Sequence, residues 1–278
     1  MAPDIPPANE ETPVPGTAAE DGRRKFGAYA HTYRPNPGEV QAAFFQRVAQ
    51  ALSIERLESY GADNASPTIA LARYLLNLAL CESLYSPLQL CEVALRNTLH
   101  RHLAAQVGRA DWYDAAAFPL TVWGQAEVAK AKEKIAGAGH AVTPGRVVAE
   151  LQFGFWTSLF EAHYEGRSGF LPVGIRYLFP RLPKSLHNRK GIKRALEDIR
   201  LLRNRVFHHE RIVHWIDLET RHGSILDVIG WISPELLELA RALDRFSVIR
   251  RDGLGPWVEK IKAHWPHPPE PSSAPADS

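Results

Sequence analysis

Two cysteines and one methionine are all the sulfur in a chain of 278 residues. Cys81 and Cys91 lie in a stretch with helical spacing, where a disulfide would need a sharp chain reversal. Two thiols also fall short of a zinc site. Both are therefore expected as buried small hydrophobes, a pattern that suits a reducing cytoplasm. No run approaches the ~18 apolar residues of a membrane span. The Pro- and Glu-rich opening from Met1 to Thr17 has neither the basic start nor the apolar centre of a secretory signal. A soluble cytoplasmic protein with no membrane contact is the expectation. Metal frameworks are missing too: His208, His209 and His214 belong to no H-E-x-x-H or Cys/His pattern. Gly137 and Gly139 sit in a helix-ending AGAGH that fits no nucleotide-binding loop. No metal and no cofactor are expected.

Charge of one sign is scarce as well, with a formal net charge of +2 and a pI near 8.5. Affinity for a polyanion must then come from local clustering. Residues 181–211 supply such a cluster, with ten Lys or Arg against three acids. Within it Arg189, Lys190, Lys193, Arg194, Arg200 and Arg205 are candidates for tracking RNA phosphates, the alternative being a solvated helix face.

Alternating strand patterns with hairpin dipeptides are absent, and the punctuation is helical nearly throughout. Residues 1–25 and 266–278 are Pro-rich and poor in apolar side chains, and read as disordered tails around one helical domain over 26–265. Ser66-Pro67, Ser86-Pro87, Thr143-Pro144 and Ser233-Pro234 each pair an N-cap with Pro at the first helical position. They predict helices starting at each, the second running to about Gln106, the third to Phe160 and the fourth to about Phe246. Val128 to Ile135 reads as a solvated helix partnered by Val147–Phe160, whose Phe153, Phe155, Trp156 and Phe160 read as core. Leu218 to Trp231 forms a further helix, with Asp217 as cap. Between Leu186 and Phe207, Ile192, Leu196, Ile199, Leu202 and Val206 fall at steps of three and four, a core-facing stripe. The fold class is all-α, a multi-helix bundle.

That last helix ends in the densest chemistry of the chain, Arg203-Asn204-Arg205-Val206-Phe207-His208-His209-Glu210. Arg presents a planar donor fork suited to phosphate oxygens, and His transfers protons near neutral pH. Five helical steps of ~100° leave Arg203 and His208 about 140° apart around the axis and ~7.5 Å apart along it, so they do not share a face. Asn204 and His208, four apart, do. Either Arg203 reaches around the helix end, or two copies of the helix meet and pool their groups in a homodimer. A polar helix end with cations near the negative dipole is the plain alternative. His209 has equal claims as a structural residue, and Glu210 as a surface partner of Arg205 or Arg211. Upstream, Glu92, Arg96 and His100 line one helix face. They read either as an exposed salt-bridge ladder, or as a face that brings Arg96 and Asn97 to the motif helix. His102 is expected at the surface.

The string RNRVFHH resembles the Arg-Asn-x-x-x-His form of the signature of HEPN domains, which are helical and often ribonucleases. LEDIRLLRNRVFHHERI and SPLQLCEVALRNTLHRHL together resemble the C-terminal and earlier helices of the Abi-like (abortive infection) family, the second through Glu92, Leu95, Arg96 and Asn97. The resemblance spans roughly residues 65–250. It implies metal-independent RNA cleavage in antiphage defence, by attack of a ribose 2′-OH on the adjacent phosphorus. His208 is then base or acid, Arg203 stabilises the phosphorane, and Asn204 positions His208 or the phosphate. His209, Glu210, Glu92, Arg96 and Asn97 support the site. Two further readings stand beside it: a non-catalytic helical module docking RNA or protein, and a toxin restrained by an antitoxin or regulatory protein.

Overall fold

The computed structural model describes residues 37–61, 65–166 and 173–264. The two tails expected to be disordered lie outside them. The chain divides into two compact units, Met1–Ala51 with Trp265–Ser278, and Leu52–His264. Of the first, the described part is residues 37–51, in helix α1 (Pro37–Leu52). The second holds all the other described residues.

That unit contains helices α2 (Ile54–Glu58), α3 (Pro67–Val107), α4 (Val122–Gly137), α5 (Pro144–Glu150), α6 (Phe153–Ser158), α7 (Val173–Leu178), α8 (Arg189–Phe207), α9 (Leu218–Ile232), α10 (Pro234–Leu243), α11 (Phe246–Asp252) and α12 (Gly255–His264). Three short 3-10 turns interrupt the connections, and no strand occurs among the described residues. The class is all-α, as the punctuation implies. No helix among the described residues is long and apolar enough to cross a membrane.

The long helix α3 organises the unit, with α2, α6, α7, α8, α9, α10, α11 and α12 all packing against it. Ser66 opens it, its hydroxyl accepting from the Ile69 amide, and Gly108 closes it in a left-handed conformation (φ 77°). The expected second start at Ser86-Pro87 does not occur: the helix runs straight through Pro87. An interior proline removes one backbone hydrogen bond and crowds the preceding turn, at a cost of ~3 kcal/mol. Against this stands an unbroken buried stripe of Leu80, Leu84, Leu88, Cys91, Leu95 and Leu99, each at most 2% exposed. Burying a leucine contributes about 1.5–3 kcal/mol, so continuing the stripe outweighs stopping at the proline. Cys91 lies in it as a small hydrophobe, and burial pushes its thiol up to about 12. Cys81 is half-buried, and both cysteines are free.

The segment read as one helix from Thr143 to Phe160 is two. Leu151 and Gln152 are extended (ψ 129° and 163°), and the Leu151 carbonyl, freed from helical bonding, accepts from Trp156 Nε1 at 3.1 Å. The break has a packing cause. Phe153, Phe155, Trp156, Leu159 and Phe160 are all buried. A straight helix would spread their side chains around most of its circumference. Trp156 meets Phe155 edge-on at 5.1 Å between centroids and lies 6.3 Å from Trp112. Helix α4 buries Val128, Ala131 and Ile135 against α5 and α6 and turns its lysines outward, as expected.

The helix opened by Ser233-Pro234 stops at Leu243 rather than Phe246. Asp244 is extended there, and its Oδ1 accepts from the Phe246 amide at 3.0 Å and lies 3.1 Å from Nε2 of buried His222. That carboxylate starts α11 and satisfies a buried ring nitrogen, neither of which it would do inside a continuous helix. Asp217 precedes α9 as expected, though its side chain makes no capping bond.

Candidate functional site

Helix α8 begins at Arg189, about one turn after the Leu186 start expected from the sequence, because Asn188 caps it by accepting from the Gly191 amide at 2.8 Å. Ile192, Leu196, Ile199, Leu202 and Val206 are all buried, so the stripe sets the rotation of the helix and hence where each motif residue points. Over its last turns α8 runs antiparallel to α3, with Arg203 beside Glu92, Phe207 beside Tyr85, and the segment after the helix beside Asn77.

Arg203 leans over the Phe207 ring (4.5 Å to the centroid), and its Nε approaches Glu92 Oε2 at 3.4 Å. Both side chains are about one-fifth exposed. The contact is long for a charge-assisted hydrogen bond, which is shorter when fully made. The guanidinium is thus held in place without being saturated. Asn204 is half-buried, and its carbonyl accepts from the His208 amide at 2.9 Å. His208 ends the helix with its side chain exposed.

The next residue is the unusual one. His209 is left-handed (φ 57°), one of two non-glycine residues with positive φ among those described. Its amide donates to the Val206 carbonyl at 3.2 Å, and the Glu210 amide reaches back to the Arg205 carbonyl at 2.9 Å. These two bonds close a helix in the way that ordinarily calls for glycine at the left-handed position. A histidine there is strained, and other contacts hold it. Arg56 Nη1 donates to the His209 carbonyl at 2.8 Å, and Arg211 Nη1 donates to the Ser59 carbonyl. Buried Asn77 makes three bonds to the segment after the turn: its Oδ1 accepts from the Ile212 and Val213 amides at 2.8 and 3.1 Å, and its Nδ2 donates to the Glu210 carbonyl at 3.4 Å. Replacing His209 by Gly is expected to stabilise the fold by about 1 kcal/mol through relief of this strain. A urea-unfolding midpoint that falls in this variant would show that the His209 side chain contributes more to folding than its backbone costs.

The upstream residues divide. Glu92 faces α8. Arg96 instead sends Nη1 to the Ala149 carbonyl at 3.3 Å, leaving its buried Nε without a partner, and Asn97 is exposed. His100 accepts from Trp112 Nε1 at 3.1 Å, and burial lowers its pKa. Glu92, Arg96 and His100 therefore have three destinations and form no ladder. His102, expected at the surface, is half-buried and stacks on Tyr177 at 5.7 Å.

The basic candidates are largely answered by carboxylates. Arg189 pairs with Glu165 at 2.7 Å, Lys193 with Glu161 at 2.6 Å, Arg200 with Glu197 at 3.0 Å and Arg205 with Glu210 at 3.2 Å. Glu161 and Glu165 lie outside the 181–211 stretch that carries the excess, which is why a count along the sequence overstates its field. Lys190 and Arg194 are exposed and have no ion pair among the described residues. Sequence reasoning missed Asn77, Arg56 and Arg211 as the residues that fix the turn. A lone Asn on an otherwise apolar helix face was the available signal for the first.

No family model, curated protein or solved structure matches the chain.

Proposed function

We propose that the chain is a metal-independent endoribonuclease of the HEPN type that acts as a homodimer, in the setting of abortive-infection defence that its motifs resemble. The observation that carries the reading is the Arg203–Glu92 contact. It joins the two motif-bearing helices at the point where α8 presents Asn204 and His208. A helix end with no task has no need of that junction or of a strained histidine turn beside it.

The chemistry needs a base to take the 2′-OH proton, an acid to protonate the leaving 5′-oxygen, and positive charge on the phosphorane between them. Its products are a 2′,3′-cyclic phosphate and a 5′-OH. His208 serves as base or acid and Arg203 as the charge that stabilises the phosphorane. One copy offers Arg203 directed toward α3 and His208 at the exposed helix end. Two copies offer two of each, enough for base and acid together.

Mixing tests this arrangement. Wild-type protein mixed one to one with His208→Ala protein and allowed to exchange is expected to lose about half of its cleavage, because a site that needs both histidines is complete only in the remaining wild-type dimers. A mixture that keeps all of its wild-type cleavage would rule out the composite site.

The second reading, a non-catalytic RNA-binding module, has less to work with: four of the six basic candidates on α8 are engaged by carboxylates. It predicts salt-sensitive RNA binding without cleavage. Control by a separate antitoxin is compatible with either reading. Co-purification of a second polypeptide that suppresses cleavage would establish it.

A further inference from the structure

Against α8, ahead of the Arg-Asn-His string, lies a cavity of about 530 Å³ that the proposed chemistry does not use. Its lining includes Trp123 at the start of α4, Gly154 on α6, Glu161 just beyond that helix, and Lys193, Glu197 and Arg200 on α8. The charges cancel in pairs. Lys193 Nζ donates to Glu161 Oε2 at 2.6 Å, and Arg200 holds Glu197 through bonds at 3.0 and 2.5 Å. Such a lining has no net charge to offer a phosphate, and suits an uncharged polar ligand.

Hydrogen-bonding capacity remains in both senses. Glu161 Oε1 accepts from no group among the described residues, and Lys193 has N–H donors beyond the one given to Oε2. A carboxylate edge and a donor thus stand side by side. Trp123 is 48% exposed, with buried Phe155 behind it at 6.5 Å between ring centroids, so an indole face is open for stacking. Lys193, Glu197, Arg200 and Asn204 follow at steps of four, three and four, and share one face of α8. Arg200 precedes Asn204 by ~6 Å and His208 by ~12 Å along the axis. A strand with a phosphate at His208 therefore passes the cavity with a neighbouring nucleotide.

We propose that the cavity receives an unstacked guanine of the RNA strand, its ring on Trp123 and its Watson–Crick edge on the Glu161–Lys193 pair. Guanine alone among the RNA bases presents adjacent donors, the ring N–H and the 2-amino group, beside a carbonyl acceptor. Adenine and cytosine set a ring acceptor next to their amino group, and uracil flanks its one donor with carbonyls. Each of these turns an acceptor toward the carboxylate. Single-stranded RNA is commonly read by stacking on an aromatic side chain and hydrogen bonds to the Watson–Crick edge, and the volume lies in the range of cavities that take small organic groups. The path of the strand rests on the ribonuclease reading; the complementarity to guanine does not. A free guanine nucleotide shares that chemistry.

Calorimetry on the full chain with 2′-O-methyl pentanucleotides, whose capped hydroxyl blocks cleavage, provides the test. The probes are uridine strands with a central guanine or adenine, together with GMP. The guanine strand is expected to bind about tenfold or more tightly than the adenine strand, and more tightly than GMP. A Cβ at Gly154 meets no atom within 4 Å, so the longer side chain of Gly154→Leu grows into the cavity and leaves both ion pairs in place. That variant is expected to lose the preference for guanine at a thermal midpoint no lower than wild type. Glu161→Gln offers a donor where guanine needs a second acceptor, and should bring the two strands to within about threefold of each other. Trp123→Ala should weaken both strands about tenfold, with Trp123→Phe restoring most of the loss. His208→Ala keeps the preference for guanine even where it loses cleavage, so a failure of the ribonuclease reading and a failure of this site give different results. Equal affinity of the wild type for the two strands, or an undiminished preference in both Gly154→Leu and Glu161→Gln, overturns the assignment. GMP bound as tightly as the guanine strand overturns it as well, by making a free nucleotide the ligand.

Discussion

Replacing His208 by Ala is expected to reduce RNA cleavage by about 10²–10⁴-fold, the range associated with loss of a positioned acid or base. The unfolding midpoint should barely move, because the His208 side chain is exposed and only its backbone contributes to closing α8. Arg203→Ala should give a loss of comparable size by removing the charge that faces the phosphorane, with a modest drop in stability from the half-buried pair with Glu92. Wild-type cleavage should persist in EDTA and leave cyclic-phosphate ends. Full activity in both variants, or cleavage that stops with chelation, would end the HEPN-type reading. Gel analysis of a defined RNA with end-group mapping distinguishes these outcomes.

The second large effect belongs to a residue far from the chemistry in sequence. Asn77 is 2% exposed and makes three hydrogen bonds to the segment that follows His209. In Asn77→Ala the Ile212 and Val213 amides lose their acceptor, and leaving buried donors unpaired costs roughly 1–3 kcal/mol each. A loss of about 2–4 kcal/mol overall is expected in urea unfolding, allowing for partial access of water to the half-buried Val213 amide. RNA cleavage should fall as well, since the strained turn loses its main anchor and His208 its fixed position. Asn77→Asp keeps an acceptor for both amides but lacks the donor to the Glu210 carbonyl, and should recover part of the stability. An Asn77→Ala protein as stable as wild type would show that the turn is held by Arg56 and Arg211 alone.

The class of fold was legible because helix caps and three-four spacing are local signals. Ser66, Thr143, Asn188 and Ser233 each cap a helix through their side chains. The Ser66, Thr143 and Ser233 starts were readable from Pro at the next position. Pro87 looked like the same signal and was not, because whether a helix continues past a proline depends on the apolar stripe it must bury, a tertiary matter. The break at Leu151 had the converse origin, in five bulky side chains that one straight helix has no way to bury together. At the site, the Arg-Asn-His string was visible, but the long-range contacts were not. Glu92 meets Arg203 from 111 positions away and Asn77 meets Ile212 from 135. The paired state of the α8 cations was hidden for the same reason.

One rod, α3, carries both fixed points of the α8 end, Asn77 and Glu92. They are 15 residues apart in an unbroken helix, or about 22 Å. The stretch between them acts as a gauge whose length and phase are both fixed. Substitutions on its outer face, such as at Glu82 or Gln89, leave the gauge intact. A single inserted or deleted residue rotates one anchor by ~100° relative to the other, and α8 is then unable to meet both. In this interval the chain is open to change in residue identity but closed to change in number.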